Sequence, residues 1–369
     1  MTKKRKILVA MSGGVDSSVA AALLKEQGHE VGGATIRTWA PEDCAHLNTR
    51  ACCGVTGVED ARDVALSLGI PYWALNFERE FKQHVVDYFS REYIQGRTPN
   101  PCIACNEHIK FRLFLERART MGYDSIATGH YARIQKNPGT GKKVLCEGVD
   151  ENKDQSYVLF PLQPDILENL FLPVGEFRKD QIRAKAKLLK LSVMDKPDSQ
   201  EICFIPSNDY REFMEKQILR PEIRPGNILT KEGKVIGQHQ GYFYYTRGQR
   251  RGLGVAHTGR LYVIETRPQA NEVIVGEKED VLGSRFFLRR VNWFVPPSPS
   301  FRAQVKIRSQ HEKAEAKIEI SENGQVWVEF DVPQDAITPG QGAAFYKDAV
   351  LLGGGWIDAV EGSGSIKQD

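Results

Sequence analysis

The sequence predicts an α/β domain with a doubly wound parallel sheet, followed by a small β-rich module and a C-terminal β domain that is closed or sandwich-like. Three observations carry that reading. Apolar strand-like runs alternate with helical runs through the first half, the pattern of a parallel sheet covered on both faces. From about residue 221 the segments shorten, and glycines and aromatics crowd together. Beyond Gly276, strand patterns recur with turn sequences between them. A chain of 369 residues exceeds one compact core, and these changes of texture divide it into 1–215, 216–278 and 279–369.

The first strand is the apolar run 7–10, and Val19-Ala20-Ala21-Ala22-Leu23-Leu24 reads as a helix. Between them stands Ala10-Met11-Ser12-Gly13-Gly14-Val15-Asp16-Ser17-Ser18. Strand, glycine turn and helix make a phosphate-site layout. Adjacent glycines let the backbone approach an anion and take positive φ, serines add hydroxyl donors, and the helix N-terminus adds N–H groups and its dipole. The loop lacks the lysine of the Walker pattern and the spacing of the dinucleotide fingerprint, so neither of those readings applies. A serine-capped turn would share the two glycines, but it does not require Ser-Gly-Gly-x-Asp-Ser between an apolar strand and an Ala/Leu helix.

Further along, 31–36 reads as a strand, 58–68 as a helix closed by Gly69 and Pro71, 72–77 as a strand and 81–94 as a helix. Residues 109–121 follow as a helix with Phe111, Phe114, Leu115 and Ala118 on one face, then 125–128 as a strand. Ligands of such sheets bind at the carboxyl ends of the strands, which puts the 10–18 loop and the Thr128-Gly129-His130 turn on one rim. Residues 38–57 show no periodicity and read either as a mobile lid or as a stretch partly disordered until a ligand arrives. Residues 178–190 form a basic helix, either a solvated face or a contact to a phosphate backbone. The 241–252 run, with four aromatics beside Arg247, Arg250 and Arg251, suits either a β core or contact with nucleic acid. Strands are then expected at 286–295, 301–308, 314–320, 326–330 and 343–352, and residues 362–369 read as a disordered tail.

The charge balance, 50 basic against 47 acidic residues, excludes a polybasic protein and permits a local basic face. The basic residues 3–6 imitate the start of a secretory leader, but Gly13, Gly14 and Asp16 break the apolar stretch, and a cytoplasmic protein without a membrane span is expected. Seven cysteines lie at 44, 52, 53, 102, 105, 146 and 203. An odd, lopsided set in a reducing compartment points to reactive or metal-binding thiols rather than a disulfide framework. Cys52-Cys53 reads as plain packing or incidental thiols rather than a redox pair, because adjacent cysteines rarely form a relaxed disulfide, and Cys146 reads as a core residue. The second chemical feature is Thr98-Pro99-Asn100-Pro101-Cys102-Ile103-Ala104-Cys105-Asn106, where prolines hold the chain extended and a C-x-x-C falls at a helix start, which favours thiolate. With Cys203 downstream, three readings stand: a redox pair, a metal or cluster site, and separate catalytic thiols. A closed structural zinc site lacks a fourth ligand.

Taken together, these motifs resemble the tRNA-specific 2-thiouridylase (MnmA) family of PP-loop ATP pyrophosphatases over nearly the whole chain. The resemblance rests on Ser-Gly-Gly-Val-Asp-Ser at 12–17, Thr98-Pro99-Asn100-Pro101, Cys105-Asn106, Ile109-Lys110-Phe111, Ala127-Thr128-Gly129-His130-Tyr131-Ala132 and Lys153-Asp154-Gln155-Ser156-Tyr157. It continues through Ser199-Gln200-Glu201-Ile202-Cys203-Phe204, Gly237-x-His239-x-Gly241 and Tyr245-Thr246-x-Gly248-Gln249-Arg250. It implies a PP-loop domain, a small central tRNA-binding domain and a C-terminal β-barrel. ATP is expected along Ala10, Met11, Ser12, Gly13, Gly14, Val15, Asp16 and Ser17, with Ile36 and Gly129 near the adenosine and Asp16 helping to hold Mg2+. The implied reaction adenylates the wobble uridine (position 34) of tRNA, and a persulfide on Cys203 delivers sulfur, with Cys105 as partner thiol. Asn100, Pro101 and Cys102 are expected near the target base, and His130, Lys153, Asp154, Gln155, Arg308, Ser309 and Gln341 at tRNA. The sulfur donor would be a sulfur-relay protein or a cysteine desulfurase, and a monomer is expected.

Cys102 stands where the family pattern has Asp, three residues before the first catalytic cysteine. A thiol does not replace a carboxylate simply, because its charge follows its own pKa. It also leaves Cys102, Cys105 and Cys203 as a set able in principle to ligate a [4Fe–4S] cluster. Two alternatives are therefore kept: the same thiolation through such a cluster, and, from another class, a non-catalytic tRNA-binding protein with a vestigial nucleotide loop.

Overall fold

The computed structural model describes residues 4–38, 55–137, 141–198, 202–205, 210–217 and 224–361. The lid reading at 38–57 falls mostly outside them, with Cys44, Cys52 and Cys53, and so does the expected tail at 362–369. The chain divides into two compact units. The first comprises Met1–Val86, Cys102–Asn208 and Asp348–Leu352; the second comprises Asp87–Pro101, Asp209–Lys347 and Gly353–Asp369.

The first unit is built on a five-stranded, all-parallel sheet in the order Tyr72–Asn76, Glu30–Arg37, Lys6–Ala10, Ser125–Ala127, Leu170–Phe171. Ile7, Leu8 and Val9 are fully buried, because the central strand is covered on both faces. The helix Val15–Glu26 lies in the same core, with Val19, Ala20, Ala21 and Leu24 packed among Ala61, Val64, Ile182 and Ala186. Each large aliphatic side chain buried there contributes about 1.5–3 kcal/mol. The sheet order reverses at Lys6–Ala10, so the crevice between this strand and Ser125–Ala127 is a topological switch point. The loop 11–14 and the turn 128–130 leave the carboxyl ends of these two strands.

The helix expected at 109–121 is longer and irregular: Pro101–Cys105 is α, Asn106–Leu113 is π and Phe114–Thr120 is α. Phe111, Phe114, Leu115 and Ala118 are buried as the spacing predicts, Phe111 within the π turns and the other three in the α turns that follow. A hairpin, Ala132–Lys136 with Lys143–Glu147, buries Cys146 as expected of a core residue, and Val350 and Leu351 add to its edge.

In the second unit four strands pair in the order Tyr262–Arg267, Glu272–Gly276, Gly226–Thr230, Val235–His239. The aromatic run is not a strand. Tyr242–Tyr244 forms a 3-10 turn whose Phe243 and Tyr244 are buried. The C-terminal strands form a closed antiparallel barrel. Leu282–Trp293, Val326–Asp335, Ala314–Ile320, Ser300–Lys306, Gly342–Lys347 and Val350–Val360 follow one another, and the last pairs back on the first, with Phe286 opposite both Val328 and Val360. The single strand expected at 343–352 is two strands, broken at Asp348 with φ 55°. The helix Asp87–Ile94 and residues 95–101 belong to this second unit.

Candidate active site

The loop after Lys6–Ala10 is fastened from below. The Met11 amide donates to Ala34 O at 2.9 Å, and the Thr35 hydroxyl donates to Met11 O at 2.7 Å. Ala10 ends the strand and Met11 is buried; Ile36 follows Thr35 on the neighbouring strand. Gly13 has φ 71°, and a Cβ there would lie 2.3 Å from Gly57 O, so both conformation and space require glycine. Ser17 Oγ receives the Ser12 amide at 3.1 Å, and Ser18 Oγ donates to Gly14 O at 2.8 Å. Gly14 is the N-cap of Val15–Glu26 and caps no N–H with a side chain. First-turn N–H groups have no intrahelical acceptor, so this uncapped end presents donors to an anion. Gly129 fits against it, since a Cβ there would lie 2.7 Å from Ser17 N.

Cations converge on this loop through carboxylates. Lys179 Nζ bonds Asp16 Oδ1 at 2.7 Å and Oδ2 at 2.8 Å, and it reaches Asp198 Oδ1 at 2.9 Å. The Tyr131 hydroxyl donates to Asp16 Oδ1 at 2.7 Å; burial and the neighbouring carboxylate push its pKa up. Asp198 also receives Lys153 at 2.8 Å and Arg183 at 2.8 Å. Burial alone would raise the Asp198 carboxyl, but hydrogen bonds from Lys153 and Lys179 outweigh it and bring the pKa down to about 2. Lys196 Nζ donates to Gly13 O at 2.9 Å and pairs with Asp60. The basic run at 178–190 is helical over Lys179–Leu188, with Ile182 and Ala186 buried. Lys179 reaches Asp16 of the loop, Arg183, one turn on, reaches Asp198 and the Lys196 carbonyl, and Lys185 pairs with Glu26 at 2.7 Å.

The other expected residues are placed unevenly. His130 is buried, its Nδ1 2.7 Å from the Thr128 hydroxyl, and burial with the nearby Lys110 charge lowers its pKa to about 3. Asp154 accepts from the amides of Gly148 and Ser156 and from the Ser156 hydroxyl, and Gln155 Oε1 accepts the Tyr131 amide. In the second unit Arg308 donates to Asp335 O at 2.9 Å and Ser309 is exposed. There the Asn100 amide lies 3.5 Å from Gln341 Oε1.

The thiols share the first unit in different settings. Cys105 is buried, Cys203 half-buried and Cys102 exposed. Next to Cys105, Asn106 is buried and donates to Val158 O at 3.1 Å. Next to Cys203, Phe204 packs edge-on against Phe81 at 5.7 Å.

Family models match in three blocks: the tRNA methyl transferase HUP domain over residues 5–207, the tRNA methyl transferase PRC-barrel domain over 211–277 and the aminomethyltransferase β-barrel domain over 284–357. The chain is 49% identical over 358 residues to the tRNA-specific 2-thiouridylase MnmA of Carboxydothermus hydrogenoformans, covering 96% of this chain and 98% of that protein. The chain belongs to the tRNA-specific 2-thiouridylase (MnmA) family. The MnmA of Acetivibrio thermocellus is 45% identical and MnmA 2 of Clostridium botulinum (strain Okra) 44%, each over 96% of this chain and 99% of the relative.

For an MnmA-family chain the donor set fits Mg2+ delivered with nucleotide. Mg2+ needs only one or two carboxylates beside phosphate oxygens, and Asp16 stands at the loop to supply one. No group of three His, Cys, Asp or Glu among the described residues stands so as to hold a metal ion, and Cys102 and Cys105 occupy opposite environments, exposed and buried. Sequence reading missed Tyr131, Lys179, Arg183 and Lys196 as site residues. Only the i, i+4 spacing of Lys179 and Arg183 hinted at a shared face. Among the described residues no helix is long and apolar enough to cross a membrane.

Proposed function

We propose that the chain is an ATP-dependent tRNA-uridine 2-sulfurtransferase acting on the wobble uridine. The observation that carries this reading is the uncapped helix start at Gly14, set at the switch point and flanked by Lys179 and Lys196. It is a site for the pyrophosphate portion of ATP, with Ile36 and Gly129 toward the adenosine. The uridine O2 attacks the α-phosphorus; an O–P bond forms, the bond to the bridging oxygen breaks, and pyrophosphate leaves onto the loop. Fixed positive charge at that leaving group lowers the barrier because it needs no reorganisation. Lys179, held by Asp16 and Asp198, supplies such charge, and Asp16 is the carboxylate that would hold Mg2+ brought in with the nucleotide.

Adenylation converts the C2 oxygen into a leaving group. The outer sulfur of a Cys203 persulfide, loaded by a relay protein or a desulfurase, then attacks C2 and AMP departs. The Cys105 thiolate attacks the Cys203 sulfur of the resulting mixed disulfide, which frees the thiocarbonyl and leaves a Cys105–Cys203 disulfide for an external thiol reductant. No step passes through a cluster. Asn100, Pro101 and Cys102 serve the target base; His130, Lys153, Asp154, Gln155, Arg308 and Ser309 serve tRNA binding, several of them by holding the backbone, and Gln341 acts through the 98–99 carbonyls it holds.

The deciding experiment supplies unmodified tRNA with uridine at the wobble position, ATP, Mg2+ and a persulfide donor, and reads nucleosides by mass spectrometry and pyrophosphate by a coupled assay. A gain of one sulfur for one oxygen on uridine, with pyrophosphate release, is expected. Methyl transfer would consume no ATP, and a non-catalytic binder would release no pyrophosphate.

A further inference from the structure

We infer that Gln341 is a positioning residue for the proposed thiolation: from the 338–341 turn it sets the backbone of Thr98-Pro99-Asn100-Pro101, the segment leading directly into the helix Pro101–Cys105. The inference rests on the function proposed above and on contacts wholly within the second unit. The Gln341 side-chain amide donates to Thr98 O at 3.2 Å and to Pro99 O at 3.3 Å, while its Oε1 faces the Asn100 amide at 3.5 Å. The segment needs such a partner. Pro99 and Pro101 have no N–H, so the loop cannot pair its own carbonyls as a strand or helix would, and those carbonyls must be satisfied from outside.

The backbone beside Gln341 closes on the same segment. The Thr98 amide donates to Pro339 O at 2.9 Å. Gly340 has φ 94°, and a Cβ there would stand 2.8 Å from Thr98 O. The turn is in register with the barrel strand, since Gly340 N donates to Ile357 O and Ile357 N to Gln341 O. That strand holds the residue before the segment too: Arg97 donates to Ile357 O at 2.8 Å and to Asp358 Oδ1 at 2.9 Å. Arg97 is further locked by buried Glu92, whose carboxylate also takes Arg289 at 3.0 Å. The 97–100 backbone is therefore clamped to the barrel at both of its ends, and Gln341 is the side chain that reads its carbonyls.

The test separates positioning from tRNA contact. Gln341→Met keeps the length and removes the amide; Gly340→Ala presses on Thr98 without touching Gln341. Binding of an unmodified tRNA transcript is measured by filter retention, and the rate of tRNA-dependent pyrophosphate release is measured at saturating tRNA and ATP. Both variants are expected to bind within about twofold of the parent and to lose tenfold or more in the saturated rate, with melting curves confirming the fold. If Gln341→Met does not fold, Gln341→Glu, which cannot donate to the two carbonyls, takes its place. Weakened tRNA binding with an unchanged saturated rate, or no change in either quantity, overturns the inference. A parent protein that releases no pyrophosphate with tRNA overturns instead the function on which the inference rests.

Discussion

At the scale of single residues, Lys179 supplies the fixed charge in the proposed pyrophosphate site. Its ammonium is nearly buried and is held between Asp16 and Asp198, so its removal leaves two carboxylates facing the proposed pyrophosphate site. Lys179→Met is expected to lower tRNA-dependent pyrophosphate release by roughly 10²-fold, the usual effect of losing one preorganised electrostatic group. Steady-state pyrophosphate kinetics measure it, and an unchanged rate would remove Lys179 from the mechanism. His130 gives a second residue-scale expectation. Its folded pKa, about 3, lies below the ordinary 6.5, so the unfolded chain binds the proton first as pH falls. The stability that neutral His130 contributes is fully present above pH 6.5 and is lost progressively down to about pH 3. His130→Gln should flatten the dependence of melting temperature on pH in that window; an unaltered slope would assign it to other groups.

At the scale of elements, the segment 87–101 shows how a local sequence can belong to a distant core. Its helix carries Glu92, 6% exposed, between Arg97 and Arg289, and Arg97 continues to Asp358. A buried carboxylate with two guanidinium partners is costly to neutralise alone, because the partners stay buried. Glu92→Gln is expected to lower unfolding stability by about 3 kcal/mol, seen as a shifted urea midpoint. A loss within 0.5 kcal/mol, roughly the scatter for surface changes, would mean the network is solvated. Periodicity located the helices and most barrel strands because their apolar faces repeat locally. It could not locate the π turns at 106–113 or the break at Asp348, which arise where a helix or strand must re-register against neighbours remote in sequence.

At the scale of the whole molecule, the proposed function is two half-reactions on one chain, and they should separate. Cys203→Ser is expected to bind tRNA and to release pyrophosphate on its addition while forming no 2-thiouridine. Nucleoside mass spectrometry beside a pyrophosphate assay reads both, and thiolation by the variant would take the persulfide role away from Cys203. The division is legible in the sequence because the glycine loop and the cysteine motifs are separate, short and chemically marked.

The sequence by itself determined the parallel sheet, the barrel strands and the position of the glycine loop, since strand runs, glycine turns and helix patterns are local and repeat with fixed periods. Only the tertiary structure decided what surrounds that loop. Asp16, Tyr131, Lys153, Lys179, Arg183 and Asp198 span most of the first unit in sequence and meet only because sheet order and helix packing bring them to one switch point. The Thr98-Pro99-Asn100-Pro101 segment was likewise visible as a motif, but its anchorage on Gln341 and Arg97 was not. Proline removes the local hydrogen bonds that would have specified its conformation, so partners more than 200 residues away supply them.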